Sequence, residues 1–407
     1  MPGTFRSLRY RDFRALWFGL ALSASGSWLQ LIGQGLLVLR LSGGSALALG
    51  AVSLAQGLAF FVFVLVGGVL ADRLEPRRIL FVTQSASLLL ALVLGSLTAS
   101  GLVAVWSVVV LAFLGSAAAS FDGPARAALL PRLVPPDDLP NAVALQTLAF
   151  NTAATLGPTL AGAVVVWLGF AGTFFLNALS FLGVLAALVA MRVPDRTAQA
   201  HDPLTPAALF RSSREGVRAV RRSAVLTFAL GSYGVMLLVG PSTSFLLPLL
   251  ATQVLGVGGA QLGVMFSAAG LGTISGALVT ASLPRLVRQG RFLLFGLALW
   301  SAALVGVSVL GRFWLVVPAL FVWGAARNAV GVAATTILQL NAPDALRGRV
   351  MSLNTLVVMG ARPLGDFGLA LLISAFSVPA VAVGGAVVVG GYAAGAALRG
   401  FRGPKEG

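Results

Sequence analysis

The sequence is almost empty of the residue types that carry catalytic and metal chemistry. Cysteine is absent, and the 407 residues include one histidine, His201, and one lysine, Lys405. The absence of cysteine excludes disulfides, thiol nucleophiles and thiolate metal sites. His201 lies in a polar stretch without partner ligands, so no metal site and no histidine-based catalytic triad is expected.

Charge is also scarce. Only 10% of the residues are charged and 58% are hydrophobic, whereas a soluble globular chain has roughly 25% charged residues. This composition excludes an ordinary soluble enzyme, a disordered chain and a nucleic-acid-binding protein, despite the formal net charge of +16. The 49 glycines form no Gly-Lys-Ser/Thr phosphate loop, so ATP hydrolysis by this chain is excluded and no cofactor is expected.

What the sequence has in abundance is long apolar runs. A membrane-spanning helix needs about 20 mostly apolar residues, and the sequence contains twelve such runs. They cover residues 14–39, 45–71, 78–99, 102–125, 139–167, 171–191, 224–251, 259–283, 291–311, 313–338, 350–376 and 378–398. The predicted fold class is therefore an all-α membrane protein with twelve transmembrane helices in two parallel six-helix bundles.

The basic residues predict the orientation. Twelve spans place both termini on one side, and all but four of the 28 basic residues fall on that side. Arg40 and Arg312 lie on the other side, and Arg327 and Arg362 fall inside spans. Because cytoplasmic loops are enriched in arginine and lysine, we expect both termini to be cytoplasmic and the protein to lie in the plasma membrane. The first apolar run is too long for a cleavable signal peptide, so the N-terminus is expected to be retained.

The polar stretch 192–222 is a predicted cytoplasmic linker that separates the first six spans from the last six. We therefore predict one bundle at 1–191 and another at 223–407, and the second bundle ends in a short cytoplasmic tail. Residues 206–222 have the pattern of an amphipathic surface helix. The halves also resemble each other: Leu145-Gln146-Thr147-Leu148 follows loop 4–5, and Leu353-Asn354-Thr355-Leu356 follows loop 10–11. Since each half has six spans, such a duplication predicts parallel repeats about an axis along the membrane normal.

The loop after the second span carries a recognisable motif, whose residues are Gly68, Asp72, Arg73, Arg77 and Arg78. It resembles the loop 2–3 motif of the major facilitator superfamily, although Glu75 replaces the inner glycine. Segments 11–17, 43–46 and 130–135 are similar to the subgroup that contains enterobactin exporters and macrolide efflux proteins. The resemblance covers all twelve spans.

The resemblance implies roles for two groups of residues. Asp72 and Arg73 would form a conformational latch with Asp122 of span 4, stabilising the outward-facing state; the alternative is a solvated loop of topogenic charges. Gly157, Pro158 and Gly162 match part of the glycine-rich pattern of superfamily exporters, although small residues in span 5 also serve plain helix packing. The arginine that superfamily proteins carry within span 4 for proton transfer is missing.

Three ionisable residues lie near the middle of the predicted spans: Arg327, Arg362 and Asp366. Such groups are costly in the bilayer and are functional candidates by default. Asp366 is a candidate proton carrier, while Arg327, which Asn328 follows, and Arg362 are candidates to anchor an anion such as a carboxylate or a catecholate. The third possibility is an interhelical Arg–Asp pair without a role in transport.

Uncharged polar residues mark the amino-terminal half. Gln30 and Gln34 share one face of span 1, and Asn151 lies in span 5. They are candidate substrate ligands, or else hydrogen-bonded bridges between helices, and Tyr233 is a candidate aromatic lining residue in span 7.

We therefore expect a secondary active transporter and not an enzyme. The leading hypothesis is proton-driven efflux of a hydrophobic or amphiphilic small molecule, drug-like or siderophore-like, by alternating access. An uptake or facilitative carrier, a lysolipid translocator and a non-transporting membrane sensor or assembly partner are the alternatives. The expected partners are a small-molecule substrate, membrane lipid and protons, with no nucleic acid, and the expected state is a monomer.

Overall fold

The structure, a computed structural model, describes the backbone of residues 3–191, 215–283 and 290–398. It describes their side chains too, except at 3–4, 64–73, 155, 159 and 345. Apart from short connections, the chain is helical in these ranges, and it contains no strand there. The predicted all-α membrane fold is confirmed.

The helices follow the predicted spans, and we number them accordingly. They are α1 (Arg11–Leu41), α2 (Ala46–Arg73), α3 (Pro76–Ala99), α4 (Val105–Leu129), α5 (139–168), α6 (170–190), α7 (Ala224–Val254), α8 (Gly259–Ser282), α9 (Gly290–Val309), α10 (Phe313–Asn341), α11 (Arg347–Ala375) and α12 (Val378–Leu398). Two 3-10 turns at Gly3–Arg9 and Pro136–Asp138 flank α1 and α5.

Helices α5 and α6 form one helical run, Leu139–Ala190, that is broken at a glycine. Its 52 residues correspond to about 78 Å of helix, more than twice the roughly 30 Å of a hydrocarbon core. Gly169 has φ 69° and ψ −175°, a conformation that glycine adopts at no steric cost. The run is therefore long enough for two spans. Eleven described helical segments are long and apolar enough to cross a membrane if this run is counted as one span. Counting α5 and α6 separately gives the twelve spans predicted from the sequence.

Helix α7 is also interrupted. A first piece, Ala224–Val239, ends at Gly240, and a second piece, Thr243–Leu249, starts after Ser242, whose hydroxyl accepts a hydrogen bond from the Phe245 N–H. The break leaves backbone N–H groups within the span that need partners.

Helix α4 continues beyond its predicted end. The apolar run ends at residue 125, but the helix reaches Leu129. Asp122 and Arg126, which lie one turn apart, are therefore both on α4, although the predicted span 102–125 stops before Arg126. Pro124 does not end the helix, because the missing N–H removes only one hydrogen bond of the ladder.

The described helices group into two compact units. The amino-terminal unit comprises Met1–Gly43 and Ala55–Pro203, and the carboxy-terminal unit comprises Gly44–Leu54 and Leu204–Gly407. In the first, α1 packs along α5 and α6, and α3 packs against α4 and the same run. In the second, α10 packs against α8 and α9, and α7 contacts α10, α11 and α12. The first residues of α2 belong to the second unit, where Gly50 packs against Phe367 and Ala370 of α11.

A seam of small residues joins α8 to α10. A β-carbon at Gly324 would meet the backbone of Ala269, and one at Gly272 would meet the backbone of Phe321. The two helices therefore approach to backbone contact, as small residues permit in membranes.

Substitution at this seam tests the packing. Gly324→Ala should lower the apparent melting temperature of the purified protein, because overpacking of about 1–3 kcal/mol exceeds the gain of up to about 1 kcal/mol in helix propensity. Gly360→Ala on α11 is the matched control, since a β-carbon at that position would have no neighbouring atom within 4 Å. Equal melting temperatures for the two variants would contradict the close contact.

The segment before α1 is bound to loop 4–5 by a buried carboxylate. Asp138 accepts hydrogen bonds from the Tyr10 hydroxyl at 2.6 Å and from Arg9 at 2.8 Å, and Arg6 lies 2.8 Å from its other oxygen. The Asp138 side chain is 2% exposed. The Tyr10 hydrogen bond and the charges of Arg6 and Arg9 hold the pKa of Asp138 below its usual value.

This depressed pKa predicts the sign of a pH effect. The stabilisation is fully present above the unfolded-state pKa of about 3.9 and is lost as the pH falls through the lower folded-state value. Asp138→Asn should therefore lower the melting temperature at pH 7 and lessen its fall between pH 5 and pH 3. Asp137→Asn, at an exposed neighbour, should leave both unchanged, and an equal effect at Asp137 would contradict the account.

Candidate functional site

Each unit contains a polar cavity. The cavity of the amino-terminal unit has a volume of about 450 Å³ and is lined by residues of α1 to α6. Its polar lining residues include five amides, one acid and one base: Gln30, Gln34, Gln56, Gln84, Asn177, Asp122 and Arg126.

The predicted pair Gln30 and Gln34 lies in this lining. The side-chain oxygen of Gln30 accepts a hydrogen bond from Asn177 at 2.7 Å, so it bridges α1 and α6. Gln34 is 3% exposed, and its Nε2 is buried without a hydrogen-bond partner among the described residues. Gln30 thus has a structural partner, whereas Gln34 presents a free donor beside the cavity.

Asp122 lies in the wall of the same cavity. Its carboxylate accepts hydrogen bonds from Thr83 at 2.5 Å and from Gln84 at 2.6 Å, both on α3. Arg126 lies one turn further along α4, with its guanidinium 4.7 Å from the centre of the Phe150 ring. The wall therefore places one acid and one base beside the amides.

The exporter-like residues of α5 contact α1. A β-carbon at Gly157 would lie 2.5 Å from the β-carbon of Trp28, which itself lines the cavity. Gly157, Pro158 and Gly162 are all buried. This small surface fixes the distance between α5 and the cavity-lining side of α1.

The cavity of the carboxy-terminal unit is smaller and cationic. It has a volume of about 400 Å³ and is lined by α7, α8, α10 and α11. Its polar lining residues are Tyr233, Thr273, Arg327, Asn328, Thr335, Thr336 and Arg362.

The two arginines of this cavity form no ion pair with an acid in the part of the chain that the structure describes. The ion pairs found there lie elsewhere. The Arg327 Nε is buried without a hydrogen-bond partner, and its guanidinium lies 5.9 Å from the centre of the Trp323 ring. Arg327 and Arg362 line the same cavity, so two like charges share it. Two cations that face one cavity attract an anion, since Coulomb energies are larger where water is limited.

Asp366 does not form an ion pair with Arg362, although the two lie one turn apart on α11. It accepts hydrogen bonds from the Ser242 N–H at 2.9 Å and the Ser242 hydroxyl at 2.7 Å. Asp366 is 3% exposed. Its carboxylate thus satisfies the N–H that the break in α7 sets free.

This role predicts unequal effects of two substitutions. Asp366→Ala leaves the Ser242 N–H unpaired and should cost about 1.5–3 kcal/mol, the contribution of hydrogen bonds to a charged group. Asp366→Asn keeps one acceptor oxygen and should cost less. Melting temperatures in detergent measure the difference, and equal values for the two variants would contradict the role of the carboxylate at the break.

Other candidate residues lie outside both cavities. Asn151 is exposed and is absent from both linings. The side chains of Gly68, Asp72 and Arg73, and the segments 192–214 and 399–407, lie outside the described residues. Arg77 donates a hydrogen bond at 2.8 Å to the Leu188 carbonyl on α6, and Arg78 pairs with Glu75 at 2.9 Å.

Three important positions were missed by sequence reasoning. They are Asn177, Gln84 and Ser242, which support Gln30, Asp122 and Asp366. Asn177 and Gln84 carried a usable signal, because amides in the middle of apolar runs need partners. Ser242 carried none, since serine is common in spans and its partner is 124 residues away.

The fold and the polar cavities define a multi-pass membrane transporter and not an enzyme. A family model described as "Transmembrane secretion effector" matches residues 2–404. The chain belongs to this family of the major facilitator superfamily.

Known proteins agree with this membership. The chain is 28% identical over 346 residues to the enterobactin exporter EntS of Citrobacter koseri, covering 82% of this chain and 79% of the relative. It is 28% identical to EntS of Escherichia coli O1:K1 over 77% of this chain and 74% of the relative.

Solved structures share the fold. A bacterial homologue of the iron transporter ferroportin, in an inward-facing state, has a TM-score of 0.74 at 14% identity, with 95% of this chain and 98% of that chain covered. A bacterial homologue of the human lysosomal transporter Spinster has a TM-score of 0.71 at 15% identity, with 97% and 99% covered.

Proposed function

We propose that this transporter is a secondary active exporter that expels an amphiphilic organic anion by proton antiport. It works by alternating access with bundles at 1–191 and 223–407, as in transporters built from parallel repeats. Both termini lie in the cytoplasm, the membrane is the plasma membrane, and the working unit is a monomer. The direction of transport is supported by the two relatives, which are named exporters, and by the Gly157-Pro158 pattern.

The observation that carries the substrate class is the pair of cations in the carboxy-terminal cavity. Arg327 and Arg362 share a lining with Tyr233 and with hydroxyl and amide groups. Among the described residues neither guanidinium has a carboxylate within 4.0 Å. Charges inside a membrane protein are paired or line a functional site. A carboxylate or catecholate group of the substrate provides the missing counter-charge.

Proton coupling is assigned to a buried carboxyl. Asp366 connects α11 to α7 through its hydrogen bonds with Ser242. Protonation removes its negative charge and weakens these hydrogen bonds, so that the break in α7 is released. Asp122 in the amino-terminal cavity wall is the second buried carboxyl of the described spans, and it remains the latch partner that the family motif assigns to Arg73.

The substrate assignment is tested by flux from proteoliposomes that contain the full chain. The probes are a fluorescent amphiphilic carboxylate and a cationic dye of similar size. Arg327→Gln and Arg362→Gln should each reduce carboxylate efflux about tenfold or more, because a lost charged hydrogen bond costs about 1.5–3 kcal/mol. Arg312→Gln, at an exposed arginine outside both cavities, is the matched control.

The outcomes separate the alternatives. Preferential efflux of the cationic dye, or carboxylate flux unchanged in both arginine variants, would contradict the anion site. If carboxylate flux does not depend on an imposed pH gradient and is unaltered in Asp366→Asn, the protein is a facilitative carrier and not a proton antiporter. Transport of labelled lysolipid but of neither probe would favour a lipid translocator, and no flux of any probe would favour a membrane sensor.

A further inference from the structure

A third polar pocket lies apart from the two cavities, where the chain enters the second bundle. It has a volume of about 560 Å³ and belongs to the carboxy-terminal unit. The short helix 215–222 and the start of α7 form one wall, and the connection between α10 and α11 forms the other. Its charged lining residues are Glu215, Arg218, Arg222 and Arg349.

The pocket carries a surplus of positive charge. Glu215 forms an ion pair with Arg349, which neutralises both groups. Arg218 and Arg222 lie four residues apart, so they project from the same face of the short helix. Neither forms an ion pair or a hydrogen bond with another described residue. The pocket therefore offers two free guanidinium groups to an anion.

The walls are held in a fixed relation. A β-carbon at Gly216 would lie 2.9 Å from the Arg349 carbonyl oxygen, so the short helix touches the first turn of α11. The Thr227 hydroxyl of α7 donates to the Val220 carbonyl at 2.7 Å. The pocket is thus part of the packed structure.

The ends of three spans set the depth of the pocket in the membrane. Ser223 caps the amino-terminal end of α7, Asn341 is the last residue of α10, and Arg347 is the first residue of α11. Helices that span the hydrocarbon core end at the headgroup layer. Pro343 and Leu346, neither of which is buried, also line the pocket and supply the apolar surface that a lipid glycerol and the first acyl carbons need.

We propose that this pocket binds the phosphate-bearing headgroup of an anionic phospholipid. Arg218 and Arg222 contact the phosphate, as guanidinium groups match phosphate oxygens in bidentate geometry. Basic pockets between membrane helices on the cytoplasmic side are suited to such headgroups. The bound lipid then links the short helix to the first turns of α7 and α11.

The test uses the purified full chain in detergent, titrated with phosphatidylglycerol or with phosphatidylcholine, with native mass spectrometry and melting temperature as readouts. Phosphatidylglycerol should bind and raise the melting temperature more than phosphatidylcholine. Arg218→Gln and Arg222→Gln should each weaken its binding about fivefold, from about 1 kcal/mol for each basic residue near a lipid surface.

Arg221→Gln is the matched control, because Arg221 lies on the same helix but outside the pocket lining. It should retain the wild-type affinity, and all three variants should have the wild-type melting temperature without lipid. Equal binding of the two lipids would overturn the proposal. An equal loss in Arg221→Gln would also overturn it, because binding would then follow net charge. Saturable stabilisation by inorganic phosphate equal to that by phosphatidylglycerol would assign the pocket to a soluble anion instead.

Discussion

A charge inside a membrane must find a partner, and this constraint organises the whole molecule. Translocon measurements put an arginine or aspartate at the centre of a span at about 2.5–3.5 kcal/mol. Within the described ranges, most charged residues accordingly lie in loops and at helix ends. In the described spans, Asp122 is satisfied by Thr83 and Gln84, and Asp366 by Ser242. Arg327 and Arg362 have no carboxylate within 4.0 Å among the described residues, and this is the ground on which we propose that the substrate supplies their counter-charge.

The breaks in the helices follow from the same constraint. An interrupted span exposes backbone N–H groups that lipid cannot satisfy, so α7 breaks where a carboxylate is available. The short segments before α1 and α7 are each held by ion pairs. The segment before α1 supplies the cations, and the segment before α7 supplies the acid. Arg6 and Arg9 bind Asp138 in the amino-terminal unit, whereas Glu215 binds Arg349 in the carboxy-terminal unit. In each unit, therefore, a charge contact ties the segment before the first span to a residue near the start of the fifth span of that unit.

The spans were predictable because about 20 apolar residues in a row leave few alternatives to a membrane helix. The ends of the spans were harder to predict from the sequence. Asp122 and Arg126 have the composition of a loop boundary, but α4 includes both, because the end of a helix depends on packing as well as on composition. The unpaired arginines were visible as charges in apolar runs. The sequence could not predict that Asp366 forms no ion pair with these arginines. Arg362 and Asp366 are four residues apart on one helix, which favours a pair between them, and nothing in the sequence indicates that Ser242 binds Asp366 instead. The same holds for Asn177, whose partner Gln30 lies on another helix.

Equilibrium binding tests most directly whether Arg327 and Arg362 form an anion site. The measurement compares an amphiphilic carboxylate with its neutral methyl ester on the purified full chain at fixed ionic strength. The account predicts that the carboxylate binds about tenfold or more tightly than the ester, and that the difference disappears when both arginines are replaced by glutamine. Equal affinities for the acid and the ester in the wild-type protein would contradict it.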